Sequence, residues 1–214
     1  MEKAYRNLGY FFILLIPLTL LAFLKTYFNQ FPNSFSESNG TFIHLHAFMA
    51  SLWIFMLILQ PLLIRRKKYK WHRIIGKASY VIFPLLILSF MPQIIMRLRS
   101  DVPFVAFFPI SDAITLTLFY SLAIYYKNKV AKHMRFMIGA ALVFLSPTFG
   151  RIFPVFFDLS NYLTQHLIYL TWYVIIIALI FMDKKNGKNY KPYWIILAAF
   201  VIHQLTFVYV FWDK

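Results

Sequence analysis

Long apolar stretches recur along the chain near 8–24, 42–64, 74–96, 103–125, 134–157, 161–182 and 192–212, with charge concentrated in the short segments between them. Each stretch is about long enough to cross a hydrocarbon core of roughly 30 Å as a helix that rises about 1.5 Å per residue. The pattern predicts an all-α polytopic transmembrane helix bundle of seven spans, with one transmembrane helical domain covering 1–214.

The connecting segments differ in charge. Arg65-Arg66-Lys67-Lys68-Tyr69-Lys70-Trp71-His72-Arg73 joins the second and third spans, 127–135 joins the fourth and fifth, and 183–191 joins the sixth and seventh. These three are basic, whereas 25–41, 97–103 and 158–160 hold fewer cations. Cytoplasmic loops carry the excess of Lys and Arg, so the basic segments and the N-terminus are expected in the cytoplasm and the C-terminus outside. The first apolar run follows Lys3 and Arg6 as a signal peptide's would. Its length, and the lack of a small-residue cleavage pattern, make it a retained span. The Asn-, Ser- and Gly-rich stretch 29–41, with Glu37, is the one substantial loop and a candidate lid.

Composition agrees with lipid as the main solvent: 61% of residues are hydrophobic, 21% aromatic and 14% charged. One soluble core of this size could not hide so much apolar surface. A formal net charge of +15 would point to nucleic acid in a soluble protein. Here the cations sit between spans, so the bilayer, and no nucleic acid, is the expected partner. Cysteine is absent, which excludes disulfides, thiolate metal sites, iron–sulfur clusters and cysteine nucleophiles. A metal or haem would have to be held by His, carboxylate, Met or Tyr.

Polar groups inside a membrane are costly, so their placement carries the functional signal. His44, His46, His166 and His203 fall in the outer halves of the second, sixth and seventh spans. Asp112, flanked by Ser111 and Thr115, reads as the only acidic residue well inside a span, at the depth of His203. A carboxylate there must be protonated or paired. At 100° per residue, His46, Trp53 and Gln60 share one face while His44 points away from it, and His166 shares a face with Tyr173. His72 and His133 open the third and fifth spans, each followed closely by an arginine. Pro84, Pro92, Pro109, Pro147 and Pro154 are expected to kink spans three to five. Trp53, Trp71, Trp172, Trp194 and Trp212 are expected mostly in interfacial aromatic belts.

Three functional readings follow. In the first, the protein transfers electrons across the bilayer through b-type haem. His72 and His133 are the inner axial ligands, His46 or His44 with His166 or His203 the outer ones, and Arg73, Arg135, Arg151, Lys77 and Arg97 the cations near propionates. A quinone or another membrane protein would be the redox partner. In the second, His46, His166, His203 and Asp112 hold zinc, copper or iron and activate water for lipid hydrolysis, or the Asp112–His203 pair carries protons without a metal. In the third, the polar residues make interhelical hydrogen bonds only, and the chain is a cofactor-free subunit of a larger membrane assembly.

The stretch from His46 through Gln60-Pro61, Arg65 and Trp71-His72-Arg73-Ile74-Ile75-Gly76-Lys77-Ala78-Ser79-Tyr80 resembles a family of bacterial multi-pass membrane proteins of uncharacterised biochemistry. His133-Met134-Arg135-Phe136-Met137 and Arg151 resemble it again. The resemblance covers spans two to five and implies a polytopic fold, in a bacterial inner membrane. His46, Arg65 and His72 also resemble, more faintly, the His, Arg and His of two-haem transmembrane cytochromes b, although the loop before His72 is short. That likeness implies haem ligation by the two histidines.

Overall fold

A computed structural model of the chain describes residues 2–30 and 40–212. Most of the 29–41 lid candidate, Glu37 included, lies outside the described residues. Seven helices are long and apolar enough to cross a membrane: α1 (Lys3–Phe23), α2 (Gly40–Arg65), α3 (Tyr69–Leu98), α4 (Pro103–Tyr125), α5 (Val130–Phe157), α6 (Asn161–Lys185) and α7 (Lys191–Phe211). No strand occurs among the described residues. The chain is an all-α, multi-pass membrane protein.

Proline sets the breaks within these helices. Regular α-helix is interrupted at Leu14, at Ser89 and Phe90, and at Phe144, and α4 changes from a 3₁₀ turn to α-helix after Ala106. Each point begins three residues before a proline: Pro17, Pro92, Pro147 and Pro109. A proline lacks the N–H for the carbonyl four residues back, and its ring crowds that carbonyl, so the turn before it yields. Hydroxyls occupy neighbouring carbonyls at two of the breaks: Ser89 Oγ donates to Leu86 O at 2.5 Å and Thr148 Oγ1 to Phe144 O at 2.6 Å. Pro84 and Pro154, expected to kink their spans, lie inside uninterrupted helix.

The chain forms two compact units, Met1–Ser100 and Asp101–Lys214. In the first, α1 and α3 both pack on α2. The expected stripe of α2 meets α3 residue for residue: His46 Nδ1 bonds Ser89 Oγ at 2.9 Å, and the Trp53 and Phe83 rings lie 5.1 Å apart. Gln60, with its amide turned as its neighbours require, accepts from the Gly76 N–H at 3.0 Å and donates to His72 O at 3.2 Å and to His72 Nδ1. His44, on the other face of α2, bonds Tyr27 at 2.7 Å. Partial burial pushes the Tyr27 phenol up. Arg65 closes the unit at its basic end, donating to Arg6 O at 3.2 Å and to Asn7, and standing over the Tyr10 ring.

In the second unit α4 packs on α5, α5 on α6, α6 on α7, and α7 on both α4 and α5. Trp172, Tyr169, Tyr193, Phe119, Phe200 and Ile196 are almost wholly enclosed at its centre. Trp172 is thus core and not belt, as is Trp53 in the first unit. Trp71, Trp194 and Trp212 are exposed, as interfacial residues would be.

Gly139 lets α5 approach its neighbours. A Cβ there would stand 2.9 Å from Ile196 Cδ1 and 3.2 Å from Phe119 Cδ2, and both side chains are fully buried with nowhere to retreat. Gly139→Leu is therefore expected to lower stability by about 1–3 kcal/mol through overpacking. Thermal unfolding in detergent measures this, and a Leu variant as stable as the parent would contradict the close approach.

Candidate functional site

The second unit concentrates buried polar groups in the half away from its basic loops. Asp112 on α4 faces His203 on α7, with His203 Nε2 3.7 Å from Asp112 Oδ1. His203 Nδ1 lies 2.8 Å from the Tyr169 hydroxyl on α6, which also approaches His203 O at 3.4 Å. All three residues are buried. The imidazole is wedged edge-on against Phe107 and Trp172, at ring separations of 5.1 and 5.6 Å. The helices fix this array: Trp172 stacks on Phe200 at 4.0 Å and donates Nε1–H to Leu142 O at 2.8 Å, which ties α6 to α7 and α5 beneath His203.

Its hydrogen bonding is incomplete. Asp112 Oδ1 and His203 Nε2 are both buried with no hydrogen-bond partner, and 3.7 Å is too long for them to bond each other. Thr164 and Gln165 on α6 are also buried, with the Gln165 side chain beside the Tyr169 hydroxyl.

A second, better satisfied set lies on α6 and α7. Tyr173 donates to Gln204 Oε1 at 2.5 Å, and Gln204 Nε2 reaches His166 Nδ1 at 3.4 Å. His166 and Tyr173 thus use their common face to grip one glutamine. His166 also packs against the Tyr162 and Phe207 rings.

The comparisons are negative. No family model, curated protein or solved structure matches the chain.

Of the four residues expected to hold an outer metal, Asp112 and His203 meet, whereas His166 is engaged by Gln204 and His46 belongs to the first unit. Among the described residues no three His, Asp or Glu side chains gather closely enough to hold a metal ion. The other histidines bond locally. His72 meets Gln60, and His133 Nδ1 lies 2.8 Å from Ala123 O. In both the α2–α3 and α4–α5 hairpins, then, the histidine opening the second helix reaches back to the end of the first.

The arginines divide. Arg73 is exposed, and Arg151 is half-buried and donates to Pro147 O at 2.8 Å. Arg135 is wholly buried and donates Nε–H to Asp183 Oδ2 at 2.6 Å and Nη1 to Ala131 O at 2.8 Å. Asp183 is thus a second buried acid, at the end of its helix, whereas Asp112 stands well inside its own. The sequence pattern puts Asp183 in the segment joining the sixth and seventh spans, yet α6 continues through Lys185. Gly187, at φ 62°, supplies the stop: Lys188 N–H bonds Asp183 O at 2.8 Å and Gly187 N–H bonds Lys184 O at 3.1 Å, the paired bonds of a glycine-terminated helix. Reading Gly187 as that terminator would have put Asp183 inside the helix.

Tyr169, Gln165 and Thr164 were also missed. Their signal is spacing on α6, where Gln165 and Tyr169 stand one turn apart and so share a face.

Proposed function

We propose that this protein carries out proton-coupled chemistry within the membrane, with Asp112, His203 and Tyr169 as its exchange groups. The observation that supports this is the buried contact of Asp112 Oδ1 with His203 Nε2, 3.7 Å apart, beside a phenol that bonds the other nitrogen of the same imidazole. An imidazole can take a proton at one nitrogen and release it from the other, so His203 can couple the carboxyl of α4 to the hydroxyl of α6. The aromatic walls exclude competing water, which would otherwise screen the pair.

Infrared difference spectra of the protein in nanodiscs, taken between acidic and basic pH, test the proposal. They are expected to contain a carboxylic-acid carbonyl band that is missing in Asp112→Asn and shifted in His203→Ala. A spectrum unchanged by both substitutions would refute it.

The b-type haem reading keeps one supporting observation. An imidazole that gives its Nδ1 proton to a backbone carbonyl presents a basic Nε2, and His133 is held at Ala123 O in that way. His203 fits ligation less well, since its two nitrogens are turned toward Tyr169 and Asp112. A reduced-minus-oxidised visible spectrum of protein made with ample haem is expected to show a Soret band weakened in His133→Ala. Lack of any such band would end this reading.

A further inference from the structure

One exposed face of α3 changes character along its length. Val81, Leu85 and Leu88 are exposed and, at about 100° per residue, lie within about 60° of one another. Toward the helix start the same side carries Lys70, Arg73 and Lys77, all exposed and about one turn apart, and the six positions together span about 120°. An exposed apolar stripe on a spanning helix is a surface for acyl chains. Here it runs directly into three cations.

Those cations are unclaimed by the protein. Arg65 is held by Arg6 O, Asn7 and Tyr10, and Arg135 by Asp183. Lys70, Arg73 and Lys77 have no hydrogen bond, ion pair or ring contact among the described residues. Lys77 is the sharpest case. It is the only charged residue between Arg73 and Arg97, and it stands about 6 Å further along the helix than Arg73, inside the apolar run. A lysine exposed to hydrocarbon at that depth is costly unless its ammonium reaches an anion at the surface. Helical side chains lean toward the helix N-terminus, so Lys77 tilts back toward Arg73 and Lys70.

We propose that this face binds one acidic glycerophospholipid, its phosphate among Lys70, Arg73 and Lys77 and an acyl chain along Val81, Leu85 and Leu88. The planar Arg73 guanidinium suits two phosphate oxygens at once, and the flanking ammonium groups add point charge. A zwitterionic lipid brings its own cation and so gains less from the cluster. A water-soluble anion leaves the apolar stripe unused. The site lies wholly within the first unit and is independent of the proton-exchange array.

Native mass spectrometry of the full chain in a mild detergent, titrated with phosphatidylglycerol or phosphatidylcholine, tests this. Phosphatidylglycerol is expected to be retained as a single molecule per chain, at least about tenfold more tightly than phosphatidylcholine. Near a charged lipid surface each Lys or Arg contributes about fivefold, so Lys77→Gln should weaken retention by about that factor. The triple variant Lys70→Gln, Arg73→Gln, Lys77→Gln should bring it to the level of phosphatidylcholine. All three positions are exposed, so these variants keep the fold. The charge-matched control Arg66→Gln, Lys67→Gln, Lys68→Gln removes three cations from the turn before α3 and should keep most of the preference.

An equal loss in that control would overturn the proposal and leave only attraction to net charge. Equal retention of the two lipids would also overturn it. So would displacement of phosphatidylglycerol by an equal concentration of glycerol 1-phosphate, which has the charge without the chains.

Discussion

Replacing Asp183 by alanine is expected to destabilise the protein by about 3–5 kcal/mol, the largest loss any single substitution outside the aromatic core should cause. The Arg135 guanidinium, with no exposed surface, would keep Ala131 O but lose the carboxylate that lies 2.6 Å away. Inside a membrane protein the penalty is not relieved by water entering from the side, although lateral snorkelling to the head groups could return some of it. The double variant Arg135→Met, Asp183→Leu removes both charges and should recover most of the loss, because a buried pair contributes little beyond an apolar pair of similar volume. Thermal or denaturant unfolding of the parent, Arg135→Met, Asp183→Leu and the double variant completes the cycle. A single variant within a few tenths of a kcal/mol of the parent would show that the pair is not enclosed.

Trp172→Ala should cost about 3 kcal/mol and also disable the polar array. Lipid is as apolar as the protein interior, so the loss is one of packing and not of transfer from water. Trp172 is fully buried, stacks on Phe200 at 4.0 Å, meets Tyr169 and His203 edge-on at 5.6 Å, and bonds Leu142 O. Trp172→Phe keeps most of the ring contact and loses the indole N–H bond, for about 1 kcal/mol. The Ala variant is expected to broaden or abolish the Asp112 carboxyl band, while the Phe variant retains it. If Ala unfolds no more easily than Phe, Trp172 is not the wedge described.

The spans were legible because hydropathy over about twenty residues is a strong signal, and every apolar run became a helix. The helix ends were harder. α3 and α5 begin several residues earlier than the apolar runs do, at Tyr69 and Val130, since Lys70, Arg73 and Lys132 extend helices whose charged side chains reach outward. The same cause hid Asp183. Helical phase was informative within single helices: the His46, Trp53 and Gln60 stripe and the His166 and Tyr173 pair each meet one neighbour. Partners across helices were readable only for Asp112 and His203, where equal depth implied the pairing. Nothing in the spacing of α4 or α7 announced Tyr169, because its partner lies 34 positions away.

The separation of Arg135 from Asp183 bears on biosynthesis. The two are 48 positions apart, so α5 leaves the ribosome well before its counter-charge exists. During that interval the guanidinium must be satisfied by head groups and water, which holds the start of α5 at the surface. Arrival of α6 lets the two helices settle together as a hairpin, and the last step of insertion for this region is therefore a joint one.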